Sequence, residues 1–369
     1  MPHHASHDVI VIGAGASGLS AAAALHVAGR DTLVLEARDR IGGRLLSTPA
    51  SASQPGLDLG ATWFWDGEER VRALTTRGNI TTFDQHLTGD TVVQDTTGTL
   101  RFAGNLLDVP ARRFHGGAQR LAFALAGALP ADRLRLDTPV IAIRPHQRGG
   151  LHVHTADATL HAEHVVLAVP PPLALERIDF AEILPADLVR LARATPVWMG
   201  AAVKIVATYE SAFWRRQGLA GAAVSRTGPL QEIHDMSGPD GRPAALFGFA
   251  HARMVRPGFD QAVPALLAQL FGPGAAAPDA VYVQNWSTEQ WTAPSAVQRL
   301  VDYTLFGHPL YRQPAIEGRL HWASTETADE YAGHIEGALA AGERAAQGVL
   351  ARTVSPYGRS SHGVPSAGR

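Results

Sequence analysis

The first forty residues change from one hydrophobic pattern to another at regular intervals. Residues 8–12 (DVIVI) form a β-branched run without polar alternation, which is typical of a strand buried on both faces of a parallel sheet. A glycine-rich turn follows at residues 13–18, and residues 19–28 are alanine-rich with a helical pattern that ends at a glycine. A second apolar run at residues 32–35 leads directly to Glu36. The order strand, glycine turn, helix, strand and acid predicts one βαβ unit.

The turn has the spacing Gly-x-Gly-x-x-Gly, and each glycine meets a different physical demand. Gly13 makes the tight turn, Gly15 lets the backbone approach a pyrophosphate, and Gly18 lets the helix pack close to the strand. We expect the pyrophosphate at the helix N-terminus, where free N–H groups and the helix dipole favour an anion. Ala16 and Ser17 lie at that terminus and are included in the predicted site. A structural turn that binds no nucleotide is the alternative.

The residues after the second strand favour FAD over NAD. Glu36 lies about 20 residues after the turn, where a carboxylate accepts hydrogen bonds from a ribose diol and repels a 2′-phosphate. Residues 36–44 (EARDRIGGR) place a second glycine pair and flanking arginines directly after this acid. Such a segment can cover the pyrophosphate from its other side. The predicted cofactor contacts from this segment are Glu36, Ala37, Arg38, Gly42, Gly43 and Arg44.

These motifs resemble those of the flavin-containing amine oxidase family, which includes monoamine oxidases, polyamine oxidases and related L-amino-acid oxidases. The family segment E-A-R-x-R-x-G-G-R is matched at residues 36–44, and its D-L-G-G-x-W-like stretch at residues 58–63. Residues 325–327 (TET), 333–338 (GHIEGA) and 341–346 (AGERAA) are similar to the C-terminal motif that the family brings back to the flavin. An ordinary amphipathic terminal helix is the alternative for that last region.

Other segments extend the resemblance over most of the chain. Residues 138–143 and 164–170 look like later strands of the FAD domain, and residues 285–295 are similar to the family segment W-x-x-E-x-Y/W-S-G-G. The resemblance therefore implies cofactor contacts from Gly60, Ala61, Thr62, Trp63, Val140, Trp286, Ser295, Thr325, Glu326 and Ile335.

The resemblance also implies the fold. We expect an α/β protein with a doubly wound, Rossmann-like FAD-binding domain and a smaller mixed α+β substrate domain. The expected FAD-binding domain consists of residues 1–68, 111–195 and 290–352, the substrate domain of residues 69–110 and 196–289, and a disordered tail of residues 353–369.

The composition and charge of the chain exclude some classes of binding partner. The net charge is −2, which lacks the polybasic character of a nucleic-acid or anionic-membrane binder. No run approaches the roughly 18 apolar residues of a membrane span, and the first apolar run leads into the glycine turn, so we expect a cytoplasmic protein. The expected partners are a small amine-like substrate and O2 or another electron acceptor, without nucleic acid or membrane, and a homo-oligomer remains open. No helical spacing of histidines indicates a metal site.

Lysine usage draws attention to one position, because only Lys204 among the 32 basic residues is a lysine. Residues 199–206 resemble the strand that carries the family's flavin-facing lysine, and the resemblance implies that Lys204 holds a water against flavin N5. An ammonium group can change its pKa when buried and donate to a water, whereas a planar guanidinium substitutes poorly. The alternative is an ordinary strand residue whose ammonium group reaches solvent.

The chain departs from the family at three points. The position that is cysteine in covalently flavinylated members falls on Ser295, and the chain contains no cysteine, so we expect noncovalent FAD. The two tyrosines that enclose the amine in monoamine oxidases align with Ala296 and His334. His334 is therefore either a polar or proton-accepting group near the flavin or a cap of the terminal helix. Residues 106–110 lead almost directly to Gly116, so a helical section over the active site is expected to be missing. An open cleft, a bulky substrate or closure by a partner would follow.

The leading hypothesis is a flavin-dependent oxidase that takes a hydride equivalent from the carbon next to an amine nitrogen, with O2 as the final acceptor. A flavin dehydrogenase or desaturase of a non-amine substrate is the second hypothesis, because the same fold serves different reactions. A degenerate flavoprotein that binds FAD without turnover is the third.

Overall fold

The computed structural model describes residues 6–49, 56–295 and 303–353. Of the tail predicted to be disordered, only Thr353 lies within the described residues, at the end of the helix Ile335–Thr353. The strands are β1 Ser6–Ile12, β2 Thr32–Leu35, β3 Thr82–Asp84, β4 Asp90–Asp95, β5 Gly98–Phe102, β6 Arg112–Phe114, β7 Leu134–Arg135, β8 Val140–Pro145, β9 Leu151–Thr155, β10 Thr159–Leu167, β11 Ala202–Tyr209, β12 Leu219–Ser225, β13 Glu232–Asp235, β14 Ala244–His251, β15 Ala280–Asn285 and β16 Leu320–Trp322. The α-helices are α1 Ala16–Val27, α2 Glu69–Arg77, α3 Arg120–Ala126, α4 Pro171–Arg177, α5 Ala186–Ala194, α6 Phe213–Arg216, α7 Phe259–Phe271 and α8 Ile335–Thr353.

The first sheet has seven strands, and its central strands are parallel. The order is β7-β2-β1-β10, with β16 parallel to the end of β10 and the antiparallel strands β9 and β8 completing the sheet. Alternate residues of β1 belong to different cores: Val9 and Val11 pack in one and Ile10 and Ile12 in the other. Both faces of β1 are therefore buried, which explains its continuous apolar sequence. The predicted doubly wound α/β fold is confirmed.

Helices α1 and α8 pack against each other beside this sheet. A Cβ atom on Gly342 of α8 would lie 2.2 Å from the carbonyl oxygen of Ser17 in α1, so only glycine permits this approach. Leu339 and Val349 of α8 are buried in the same core as Leu19 of α1. The C-terminal helix therefore supports the helix that follows the glycine turn.

The second sheet also has seven strands, in the order β15-β11-β14-β13-β12-β4-β5. It is mixed, because β12 pairs in parallel with β4 while the other neighbours are antiparallel. The apolar side of α7, including Val263 and Leu267, packs in one core with Ile205 of β11. Lys204 on β11 is paired with Phe249 on β14 and Gln284 on β15.

Helix α2 packs on the first sheet's side of the molecule. Its Val71 and Leu74 are buried in the core that contains α1 and α3. The division into domains at the expected boundaries stays a prediction. Among the described residues, the structure contains no helix with the length and apolar character needed to cross a membrane.

Candidate functional site

A cavity of about 590 Å³ connects the two sheets. Its wall includes residues at or just beyond the carboxyl ends of three parallel strands: Gly13 after β1, Glu36 after β2 and Ala168 after β10. The second sheet contributes Glu232 from β13 and Phe249 from β14 to the same cavity. Ligands of open parallel α/β sheets bind at this edge, so the cavity lies where a dinucleotide is expected and continues toward a second, largely separate sheet.

The glycine turn has the geometry that its spacing predicts. Gly13 has a φ of +100°, which a side chain would strain. A Cβ atom on Gly18 would lie 1.9 Å from the Gly13 carbonyl oxygen, so glycine is required for α1 to pack this closely. At Gly15 the nearest atom to such a Cβ is the Gly42 oxygen, at 3.9 Å. Space is therefore left open at Gly15 on the cavity side, as an approaching pyrophosphate requires.

The second glycine pair lies against the first turn. The Gly42 N–H donates to the Ala14 carbonyl at 2.8 Å, and a Cβ on Gly43 would lie 3.4 Å from the Cα of Gly15. Two hydroxyl groups at this end of the cavity are buried, and within the described part of the chain neither Ser17 Oγ nor Ser324 Oγ has a hydrogen-bond partner. Open glycine backbone, a helix N-terminus and unpaired hydroxyl donors together fit the pyrophosphate of a dinucleotide.

Glu36 is held by backbone donors at the end of β2. Its Oε2 accepts from the Ala14 N–H at 2.7 Å and its Oε1 from the Arg38 N–H at 3.0 Å. Its side chain is buried, yet the residue lines the cavity. Each carboxylate oxygen has a second lone pair, so the fixed carboxylate can still accept a hydrogen bond from a ribose hydroxyl group.

Arg44 and Glu326 form a bidentate ion pair at the edge of the cavity. The two guanidinium nitrogens lie 2.6 and 3.1 Å from the carboxylate oxygens, and Arg44 also donates to the Trp198 carbonyl at 3.1 Å. Burial raises the pKa of the Glu326 carboxyl, but the charge and hydrogen bonds of Arg44 outweigh it and hold that pKa below its ordinary value. Arg44 lines the cavity, whereas Glu326 is fully buried behind it.

Arg38 joins the ribose segment to a distant part of the chain. Its Nη2 donates to Glu289 at 3.1 Å and to Thr292 at 2.7 Å. Trp286, a few residues earlier, is buried and donates from its indole nitrogen to the Leu59 carbonyl at 3.1 Å. Both Arg38 and Trp286 line the cavity, so residues 286–292 complete its wall from the far end of the second sheet.

Lys204 is fully buried and lies directly behind the cavity wall. Its Nζ donates to the Gly60 carbonyl at 2.9 Å and to the Thr62 hydroxyl group, and it lies 4.3 Å from the centre of the Phe247 ring. Burial lowers the pKa of Lys204 to about 7, although the carboxylate of Asp58 acts in the opposite direction. The ammonium group therefore does not reach solvent, and its contacts to the cavity pass through Gly60 and Thr62.

His334 lies at the point where α8 begins and lines the cavity. Its carbonyl accepts the Ala338 N–H at 3.2 Å, which starts the helix. Nδ1 is 2.7 Å from Oε1 of Glu68. The side chain therefore pairs with a buried carboxylate rather than capping the terminal helix.

Comparison with known proteins gives the family of the chain. The sequence profile of the family described as flavin containing amine oxidoreductase matches residues 84–350. The chain belongs to this family. A profile of NAD(P)-binding Rossmann-like domains also matches residues 11–77, which contain the glycine turn.

Individual relatives of the family align over nearly the whole chain. A protein named as flavin-containing monoamine oxidase AofH, from Mycobacterium tuberculosis, is 30% identical over 93% of this chain and 96% of its own length. The flavin-containing amine oxidase B of Sus scrofa is 26% identical over 93% of this chain and 86% of its own length. The structure of cyclohexylamine oxidase from Brevibacterium oxydans superimposes with a TM-score of 0.82 at 23% identity, covering 94% of this chain and 99% of that one. FAD is thus the cofactor, and an amine is the class of substrate.

Within the aligned region, this chain has fewer residues than its relative AofH. The alignment with AofH spans 453 positions, more than the 369 residues of this chain, so it contains gaps opposite segments of the relative. Between β5 and β6, residues 103–111 contain no helix. Both observations agree with the expected loss of a helical section, while an open cleft and closure by a partner stay predictions.

Most of the site residues predicted for this family member line one cavity. These are Gly13, Gly15, Ala16, Ser17, Glu36, Ala37, Arg38, Gly42, Gly43, Arg44, Gly60, Ala61, Thr62, Trp63, Val140, Trp286, Thr325, His334 and Ile335. Gly18, Lys204, Ser295 and Glu326 do not line it. Gly18, Lys204 and Glu326 support wall residues from behind, whereas the Ser295 N–H donates to Glu176 at 2.8 Å. Ala296 lies outside the described residues.

Sequence reasoning missed the residues that depend on long-range pairing. Glu232 and Phe249 reach the cavity because β13 and β14 pair beside β11, and Glu68 matters only because α8 returns to it. None of them belongs to a local motif. The one signal for Glu68 in the sequence is that it is a polar residue shortly after the matched segment at residues 58–63.

Proposed function

We propose that this protein oxidises an amine at the carbon next to nitrogen, using noncovalently bound FAD and O2 as the final electron acceptor. Bound FAD would supply the two-electron acceptor for this chemistry. The cavity carries the proposal, because a single space is lined by the dinucleotide turns at one end and by the second sheet at the other. A substrate bound at the second-sheet end would therefore meet the reactive part of an extended dinucleotide.

The residues of the chain would act by position and electrostatics. Glu36 and the turns around Gly15 and Gly42 would fix the nucleotide end, and Arg44 would present a cation that Glu326 holds in place. Trp63, Trp65 and Phe249 line the cavity with aromatic surface, which would exclude water from the reacting carbon. Lys204 would keep Gly60 and Thr62 in position on that wall, and a water bound near them stays part of the proposal.

The composition of the chain and the contacts of Ser295 support noncovalent attachment. The chain has no cysteine to form a thioether. Ser295, at the aligned position, donates its N–H to Glu176 and does not line the cavity. We expect acid precipitation of the protein to release all of its flavin into the supernatant, and yellow protein in the washed pellet would contradict noncovalent binding.

The proposed activity is tested by mixing the FAD-loaded protein anaerobically with a panel of amines, diamines and amino acids and recording the flavin absorbance. Bleaching followed by hydrogen peroxide formation on admission of air is the expected result. Bleaching without peroxide would favour a dehydrogenase, and absence of bleaching with every compound would favour a protein that binds FAD without turnover.

A matched variant tests whether the flavin binds at the glycine turn. Gly15→Ala adds a Cβ that meets only the Gly42 oxygen, at 3.9 Å, so the fold should persist while the methyl group occupies the space expected for the pyrophosphate. The purified variant should be colourless with an unchanged far-ultraviolet circular dichroism spectrum. A variant that retains FAD at wild-type occupancy would contradict the proposed position of the pyrophosphate.

A further inference from the structure

His334 and Glu68 form a hydrogen-bonded pair at the edge of the cavity. Nδ1 of His334 lies 2.7 Å from Oε1 of Glu68. The Glu68 side chain is 1% exposed, whereas that of His334 is 35% exposed and lines the cavity. Because Nδ1 is engaged by the carboxylate, Nε2 is the ring nitrogen that remains for a bound molecule.

The carboxylate of Glu68 is also held in position by its neighbours. Its Oε2 accepts the Trp65 N–H at 3.3 Å, and the residue immediately precedes α2, where the helix dipole favours a carboxylate. The Trp65 ring lies 5.0 Å from the ring of His334, and the His334 carbonyl accepts from the Thr325 hydroxyl at 3.0 Å. With Nδ1 donating to the carboxylate of Glu68, Nε2 is the ring nitrogen placed to accept a proton.

Glu68 is the carboxylate in direct contact with the ring of His334. Helix α8 begins at Ile335, and its dipole opposes a positive charge on His334. On the adjoining elements, Arg70 pairs with Glu336 at 3.0 Å and Arg44 with Glu326 at 2.6 Å. The phenol of Tyr331, whose ring is 6.1 Å away, donates instead to the Gly67 carbonyl at 3.4 Å. A proton added to Nε2 is therefore balanced by the carboxylate of Glu68.

We propose that His334 accepts the proton of the substrate's ammonium group and that Glu68 positions His334 for this step. The inference rests on the amine oxidation proposed above. In the step, an N–H bond of the ammonium group breaks and an N–H bond forms at Nε2, so the positive charge moves from substrate to imidazole and no electrons are exchanged with an acceptor. The hydrogen bond from Nδ1 to Glu68 becomes charge-assisted. The substrate is left as the neutral amine whose nitrogen lone pair assists oxidation of the neighbouring carbon.

The first test measures the proton without requiring turnover. tert-Butylamine has no hydrogen on the carbon next to nitrogen, so it is a binding probe that cannot be oxidised there. Calorimetric titration of the FAD-loaded protein at pH 8 in two buffers of different ionisation enthalpy counts the protons released on binding. We expect none from the wild type, and one per amine, or a loss of binding, from His334→Gln. Equal proton counts for both proteins, or no binding by either, overturns the assignment.

The second test uses the pH dependence of flavin reduction with an oxidisable amine from the panel. At pH 7 the substrate is an ammonium ion, and loss of the acceptor in His334→Gln should lower kcat/KM by roughly 10²-fold. Above the pKa of the substrate the neutral amine enters directly, so the defect should disappear. Glu68→Gln should show a smaller defect with the same pH dependence, and Tyr331→Phe, the neighbouring-ring control, should behave as wild type. A defect in His334→Gln that is equal at all pH values overturns the inference.

The two tests separate this inference from the proposed activity. If no amine reduces the flavin but the proton counts differ as expected, amine oxidation is wrong and the proton acceptor stands. If amines reduce the flavin and the proton counts are equal, only the role of His334 is wrong.

Discussion

Two buried histidines in the first sheet should make the stability of the protein fall on mild acidification. Nδ1 of His164 on β10 lies 3.3 Å from Nε2 of His321 on β16, and the residues are 6% and 4% exposed. Burial, with the nearby charge of Arg319, lowers the pKa of His164 to about 4. Burial, with the neighbouring His164, lowers the pKa of His321 to about 3. Both side chains are therefore neutral in the folded protein at pH 5.

The size of the effect follows from the difference in bound protons. An unfolded histidine has a pKa near 6.5, so below that pH the unfolded chain binds protons that the folded protein does not. The free energy of unfolding therefore decreases as the pH is lowered. Between pH 7.5 and pH 5.0, one such histidine lowers the free energy of unfolding by about 2 kcal/mol, and the pair by about 4 kcal/mol.

Urea unfolding at these two pH values measures this difference. The free energy of unfolding of the wild type should fall by about 4 kcal/mol more than that of the double variant His164→Gln/His321→Gln. His26→Gln, which replaces an exposed histidine on α1, should behave like the wild type. An equal fall in the wild type and the double variant would refute the reasoning, because the two histidines would then titrate alike in the folded and unfolded protein.

Three further predictions concern the site. Lys204→Arg should retain FAD but slow flavin reduction or reoxidation by roughly tenfold or more, because a larger group must fit where Nζ now contacts Gly60 and Thr62. Unchanged rates in stopped-flow experiments would show that Lys204 has no role in the reaction. Glu326→Gln should lower the free energy of unfolding by about 3 kcal/mol and speed the loss of FAD. Glu343→Gln, which alters a partly exposed ion pair with Arg70, should change the free energy of unfolding by less than about 1 kcal/mol. Equal effects of the two variants in chemical denaturation would contradict the importance of burial. Gly18→Ala should lower the free energy of unfolding of the FAD-free protein by about 1–3 kcal/mol, because its Cβ would lie 1.9 Å from the Gly13 oxygen; an unchanged melting temperature would show that the turn can move.

The local parts of the site could be predicted from sequence because their geometry is local. Gly13, Gly15 and Gly18 lie within one turn, and the backbone conformation that each supports is set by a few neighbouring residues. The position of Lys204 was less accessible. Its strand could be predicted, but the direction of Nζ depends on the Gly60 carbonyl and the Thr62 hydroxyl, which lie more than 140 residues earlier in the chain.

The substrate end of the cavity was the least predictable part. Glu232 reaches it through the pairing of β13 with β14, and Glu68 reaches His334 across 266 residues of sequence. Such contacts depend on how whole elements pack, so no short motif records them. The alternative that His334 caps α8 was reasonable from sequence, because the residue does precede the helix; only the carboxylate brought in by α2 decides the orientation of its ring.

The packing of α8 on α1 has a consequence for how the protein is made. The ribosome releases the glycine turn first, but β16 and α8, which pack beside β10 and α1, are synthesised some three hundred residues later. At synthesis rates of roughly 5–20 residues per second, the nascent nucleotide-binding unit waits tens of seconds with its apolar helix face uncovered. Cofactor capture should therefore be a late, post-translational event, and ribosome-bound chains ending before residue 320 should bind no FAD.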